Sequence, residues 1–231
     1  MQESIYEILL QLPLFQGLGY NELTDIVSKV KMDFRKYEHE KTVIKADTPC
    51  TELVFLMRGE LIAERETPNH SLTFSEKLPT PAVIGIENIF GISQHHKRTY
   101  KANSDVQMLF IAKPYLIQNM LPYEVCRFNF LNLLSASLQR QNKLLWDFPE
   151  SDLVRRFTQI LKNNFLKPSG EKHIKGKMVD WAEYMKVTRL AVSNMLNHLE
   201  QQKLIVLERK QITVPAMQDL VQYANERNGI G

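Results

Sequence analysis

The stretch VDWAEYMKVTRLAVSNMLNHL, residues 179–199, decides how the whole chain is read. It holds two short helical patterns separated by about three residues, the spacing of a helix-turn-helix. In the second pattern Thr188 is placed to cap a helix, and Val192, Met195, Leu196 and Leu199 fall at i, i+3, i+4 and i+7, which assigns them to a buried face. Burial of that face fixes the opposite one. Arg189, Leu190, Ser193, Asn194 and Asn197 must then point outward, beginning at the helix N-terminus. In a helix lying in a DNA major groove, that end is where side chains meet base edges.

The residue types suit that use. Arg can donate two bonds to guanine, Asn can pair with the edge of adenine, and Leu can pack on a thymine methyl. Thr188 and Ser193 can hold phosphate, helped by the N–H groups at the helix start. Downstream, KLIVLERKQITVP (residues 203–215) alternates β-prone residues around the tip Glu208-Arg209-Lys210, as a two-stranded wing would, with Arg209 and Lys210 set to rest on the sugar–phosphate backbone. Two amphipathic helices and a hairpin also suit an ordinary structural unit with a solvated polar face, and the pattern alone leaves that reading open.

Charge points the same way. Residues 151–231 hold 13 Lys/Arg against 8 Asp/Glu, whereas residues 1–150 hold 16 against 18, so the basic surplus sits with the helix pair and suggests an anionic partner. With 231 residues, 44% apolar and 24% charged, the chain fits two domains and a connector. Its apolar runs fall far short of the roughly 20 residues that cross a bilayer, and MQESIYEILLQL lacks a basic segment before its apolar part; the cytoplasm is the expected location, without a membrane partner. Cys50 and Cys126 have no CxxC spacing and read as packing residues. The six histidines are scattered, and adjacent His95-His96 reads as a solvated loop pair, so no metal and no cofactor is expected. No HxH and no paired carboxylates at strand spacing are present, which argues against a cupin-like enzyme and leaves no catalytic residue to assign.

Toward the N-terminus, ESIYEILLQL and NELTDIVSKV have helical spacing. From about residue 37 short β-like runs take over: KTVIKA, ELVFLM, ELIAERE, SLTFSEKL and VQMLFIA, separated by turn signals, suit an antiparallel β-roll or jelly roll. From Tyr123 the period lengthens again. Leu131, Leu134, Leu138 and Leu145, widened by Phe130, Leu133 and Leu144, mark a long helix that can bury its seam against the roll, against a second copy, or against both. Pro149 breaks it, and Ser151 is placed to cap DLVRRFTQILKNNF. The fold class expected is α+β, divided at 1–120, 121–147 and 148–231.

The chain resembles transcription regulators of the Crp/Fnr family over nearly its full length. LPLFQGLGYNEL is similar to the family's opening helices, DTPCTELVFLMRGEL to its strand-turn-strand with Gly59 in the turn, and VTRLAVSNMLNHLEQQKLI to its recognition helix and the segment into the wing. The resemblance implies a cyclic-nucleotide-binding-type sensor roll in 1–120, a helix in 121–147 that makes a homodimer through Leu131, Leu134, Leu138 and Leu145, and a winged helix-turn-helix in 148–231 reading a palindromic operator in double-stranded DNA. RNA polymerase is a further partner such a regulator would meet. Family recognition helices often carry Arg-Glu and, four residues after the Glu, Arg; Arg189, Leu190 and Asn194 stand there, which implies an operator unlike that of cAMP-responsive members. Lys186 occupies the tight turn where glycine is usual, at a cost of about 1 kcal/mol if a left-handed conformation is needed.

In cyclic-nucleotide-binding members a Gly-Glu pair, followed by Arg-Ser/Thr, cradles ribose and phosphate. The corresponding stretch is PAVIGIENIFGISQHHKRTYKA, residues 81–102. Glu87 sits at the right distance after Pro81, but Ile86 replaces the glycine and Gly85 comes one residue early; Arg98-Thr99 is present, yet alignment on Ala102 puts His96-Lys97 at the expected place. Gln141 and Asn142 fall where members donate polar groups to the purine. The resemblance thus implies Gly85, Glu87, Arg98, Thr99, Gln141 and Asn142 as an effector set, for a small molecule other than cAMP or for none. The alternative is a small-molecule-binding module whose winged helix makes protein contacts instead of DNA contacts.

Overall fold

The computed structural model describes residues 4–146 and 152–226, with the backbone alone described over 140–146. Helix α1 (Ile5–Gln11) begins where Ser4 and Glu7 satisfy each other: the Ser4 hydroxyl accepts from Glu7 N–H at 3.4 Å, and the Glu7 carboxylate accepts from Ser4 N–H at 2.8 Å. Helix α2 (Tyr20–Lys29) buries Leu23 and Ile26. Eight strands follow: β1 (Asp33–Tyr37), β2 (Thr42–Ile44), β3 (Glu52–Arg58), β4 (Glu60–Glu66), β5 (Thr73–Pro79), β6 (Ala82–Ile84), β7 (Thr99–Ala102) and β8 (Val106–Ala112). One antiparallel sheet runs β1-β8-β3-β6. Its strand β3 pairs on both sides, and Leu53, Val54, Phe55, Leu56 and Met57 are all buried, the near-continuous apolar run of an enclosed strand.

Gly59 turns β3 into β4 at φ +87°, and a Cβ there would lie 2.4 Å from the Asp105 carbonyl oxygen, so the turn accepts glycine alone. After β8, α3 (Lys113–Tyr115) runs into a π-helical turn (Leu116–Met120) and then α4 (Glu124–Trp146). The 23 residues of α4 make a rod of roughly 34 Å. Its first turns close the roll's core: Cys126 and Phe130 are buried with Leu14, Phe15, Ile26, Phe55 and Leu109. The leucine seam divides. Leu134 and Leu133 pack on this core, whereas Leu131 and Leu138 are exposed, at 49% and 58%, on the same side as Phe128 at 53%. Leu145 lies outside the described side chains.

A second compact unit holds α5 (Leu153–Asn164), β9 (Lys172–Lys175), α6 (Met178–Met185), α7 (Arg189–Gln201), β10 (Val206–Glu208), β11 (Gln211–Val214) and α8 (Met217–Glu226). Asp152, not Ser151, caps α5: its carboxylate accepts from Val154 N–H at 2.8 Å, and an ionised cap also suits the positive end of the helix dipole. Helix α8, which no sequence signal had marked, buries Met217, Leu220 and Ala224.

This unit also takes in Glu64–Lys77. Strand β5 pairs with β9 in the register Thr73↔Lys175, Phe74↔Ile174, Ser75↔His173 and Glu76↔Lys172, while the other edge of β9 pairs with β11. Within this unit the strands therefore run in the order β10-β11-β9-β5. Leu72 and Phe74 enter the core beside Phe157, and Phe74 meets Phe165 and Trp181 edge-on at 5.8 and 5.9 Å. Glu76 and Lys172, with side chains 1% and 2% exposed, form an ion pair at 2.6 Å. The Glu76 carboxylate also accepts from Leu166 N–H and, at 3.1 Å, from Lys167 N–H. A charge survives burial only with such a complement of partners.

Between α6 and α7, Lys186 sits at φ 51°, ψ 47°, the left-handed conformation anticipated for this turn. Val187 N–H donates to the Ala182 carbonyl at 3.0 Å and Lys186 N–H to that of Glu183 at 3.1 Å, closing α6. Replacing Lys186 by Gly relieves the Cβ strain and is partly offset by unfolded-chain entropy, so Lys186→Gly should stabilise the protein by up to about 1 kcal/mol. Urea unfolding checks this; a lower midpoint for the variant would contradict it.

Candidate nucleic-acid interface

Helix α7 starts at Thr188, whose hydroxyl oxygen accepts from Ala191 N–H at 3.2 Å. Val192, Met195, Leu196 and Leu199 are all buried, in the register read from the sequence. The other side of the helix carries exposed Thr188, Arg189, Leu190, Asn194 and Asn197, with Ser193 half-buried between them. Leu190 is 70% exposed, a large apolar side chain with no place in the unit's own core. The helix start adds backbone N–H groups that have no partner within the helix. One edge thus offers a guanidinium, two carboxamides, an apolar tip and amide donors, the set that can distinguish base pairs in a major groove.

The wing is a two-stranded antiparallel hairpin in which Glu208 faces Gln211. Arg209 and Lys210 form its exposed tip, with Lys210 at φ +63° and its carbonyl accepting from Gly176 N–H at 2.9 Å. That bond ties the tip to the chain just before α6. Lys175, Lys177, Arg209 and Lys210 gather around an open notch of about 380 Å³, whose wall is completed by Ser71 and Thr73. The carboxylate at its edge, Asp180, is occupied in accepting Lys177 N–H at 2.7 Å.

Four of the residues assigned to an effector, Gly85, Glu87, Arg98 and Thr99, lie in the roll with different surroundings. Gly85 is buried at φ +82°, and a Cβ there would be 2.9 Å from Cys50 Sγ and 3.1 Å from His96 Cε1. Glu87 is exposed and Arg98 is 7% exposed. The Thr99 hydroxyl accepts from Ala46 N–H at 3.1 Å. Gln141 and Asn142 lie outside the described side chains. The solvated pair His95-His96 is corrected: His95 is exposed, but His96 is 6% exposed and its backbone bonds Thr48 and Asp47, at 3.0 and 2.8 Å. Alternation along this segment turns His96 and Arg98 inward and Lys97 outward, a period-two signal available in the sequence once the segment is read as extended.

Burial pushes the Cys50 thiol up to about 11, with the Glu87 charge adding, and burial pushes that of Cys126 up to about 12. Both are protonated packing groups. Among the described residues no three His, Cys, Asp or Glu side chains are grouped to hold a metal, and no helix is long and apolar enough to cross a membrane.

The roll, the long helix and the helix pair with its hairpin follow one another in that order along the chain. In fold the chain is similar to the catabolite activator protein of Thermus thermophilus, with a TM-score of 0.51 and 17% identity over 93% of this chain and 99% of that one. It is also similar to the c-di-GMP-responsive global regulator CLP of Xanthomonas campestris, with a TM-score of 0.49 and 14% identity over 85% of this chain and 99% of that one. No protein-family model and no curated protein sequence matches the chain.

Burial holds the His96 imidazole below its usual value of about 6.5, while the Glu87 carboxylate pulls the other way. The unfolded chain therefore takes up this proton first as pH falls, so His96 leaves stability unchanged above about pH 6.5 and lowers it progressively below. Urea midpoints at pH 7.5 and 5.5 should differ less in His96→Gln than in the wild type; an equal loss in both would contradict the assignment.

Proposed function

We propose that the chain is a dimeric, sequence-specific DNA-binding transcription regulator, without enzymatic activity, whose sensor roll answers to an effector other than cAMP. The observation that carries this reading is the exposed edge of α7: Arg189, Leu190, Asn194 and Asn197 face solvent from the first three turns while the opposite face is buried. Arg189 serves guanine, Asn194 and Asn197 serve adenine or flanking positions, and Leu190 packs on a thymine methyl. Thr188, Ser193, Arg209 and Lys210 serve phosphates. Pairing of two copies through the exposed Phe128, Leu131 and Leu138 stripe of α4 sets two recognition helices about one DNA turn apart, ~34 Å, on a palindromic site.

The effector reading follows from the roll. The His96 ring and Cys50 crowd the space beside Gly85, and Ile86, at 6% exposure, is spent on the core. A second reading, in which the winged helix binds protein, draws on the same exposed Leu190, and binding to duplex DNA separates the two.

Selection of bound duplexes from a random pool, with and without cAMP, is the direct test: a palindromic consensus unchanged by cAMP is expected, and recovery of no consensus would refute the reading. On the selected site Arg189→Ala should cost roughly 1–3 kcal/mol and relax one base position, whereas Lys210→Ala should weaken all duplexes alike and flatten the salt dependence. Leu138→Asp should give monomers in sedimentation; an unchanged dimer would remove the α4 interface.

A further inference from the structure

The segment Glu64–Lys77 belongs to the same compact unit as the helix-turn-helix, although Glu76 and Lys172 stand 96 residues apart in the chain. Three separate features hold it there. Its backbone pairs with β9 over four consecutive residues. Its Leu72 and Phe74 are fully buried in the helix-turn-helix core. Its Glu76 carboxylate collects the Lys172 ammonium and the N–H groups of Leu166 and Lys167. The fit is close: at Gly176 a Cβ would come 2.3 Å from Leu72 Cδ2 and 3.1 Å from the Ser71 carbonyl oxygen, so a side chain there would have to displace Leu72. Gly176 immediately precedes Lys177, and its N–H fixes the wing tip through Lys210.

Docking therefore brings this segment to the rim where the basic side chains gather. Lys175, Lys177, Arg209 and Lys210 supply four positive charges around one notch, and Thr73, paired with Lys175, adds a hydroxyl from the opposite wall. The Ser71 hydroxyl is turned to Asn69 at 2.8 Å, which leaves Thr73 as the donor on that wall. Against these four stands the one carboxylate of Asp180, so the balance stays positive by three, and the notch is open, as suits one phosphate of a long polyanion lying across it.

We propose that Glu64–Lys77 is a strap that completes the DNA-binding unit: docked on β9, it walls a notch that takes a backbone phosphate of duplex DNA, and Glu76 is the positioning residue that holds it. This rests on the DNA-binding reading above. Because the strap is drawn from the roll's own β4–β5 segment, the phosphate notch exists only while that segment stays paired with β9.

The test uses the full-length protein and a duplex that the wild type selects. Thr73→Glu sets a carboxylate beside Lys175 without touching Phe74 or Glu76; about tenfold weaker binding to all duplexes alike is expected, with a salt slope flatter by about one. Glu76→Gln, made with Trp146→Phe so that Trp181 is the remaining tryptophan, should red-shift Trp181 emission, speed amide exchange across β5 and β9, and weaken DNA binding together. Unchanged affinity in Thr73→Glu would overturn the notch, and protected β5 amides with unchanged affinity in Glu76→Gln would overturn the strap. If Glu76→Gln fails to fold, Thr73→Glu decides alone. A wild type that binds no duplex would remove the reading beneath the proposal, and is told apart because strap docking is still read by exchange and by Trp181 emission.

Discussion

Helix α7 can be placed in only one rotation about its axis, and the apolar side that enforces this determines everything the opposite side can do. Val192, Met195, Leu196 and Leu199 enter a core shared with Phe157, Trp181, Met185 and Leu220. Each such side chain contributes on the order of 1.5–3 kcal/mol by burial, so a turn of one residue, about 100°, would forfeit several kcal/mol and bring amides or a guanidinium into the apolar interior. The exposed edge is held in place by the residues of the buried face. Substitutions at Leu190 or Asn194 can consequently change the chemistry of that edge with little effect on folding.

Features governed by neighbours in sequence were legible from the chain alone. The α7 register, its Thr188 cap, the wing around Arg209-Lys210 and the Gly59 turn all follow from spacing or from one residue's conformational limits, whereas the left-handed Lys186 was suggested only by the resemblance. Features governed by distant neighbours were not. SLTFSEKL reads as a strand, but nothing local says that its Glu76 meets Lys172; a charged pair looks solvated until both ends are known to be buried together. The α4 leucines share one spacing, yet the roll's core takes Leu134 and leaves Leu131 and Leu138 outside. His96 reads as loop because its partners, Gly85 and Cys50, come from other segments.

The interior of the roll around Gly85 is crowded. A glycine with positive φ remains, but an imidazole and a thiol stand where its missing Cβ would point, and both are neutral at physiological pH.

The long separation between β5 and β9 bears on biogenesis. A nascent chain emerging from the ribosome presents Leu72 and Phe74 well before Ile174, Trp181 and the rest of their core have been synthesised, so an aromatic-bearing strand edge waits unpaired during translation. Long-range strand pairing of this kind is slow to form. The core of the helix-turn-helix is complete only once the segment near residue 70 has joined it, so a graft that keeps this core whole carries that segment along.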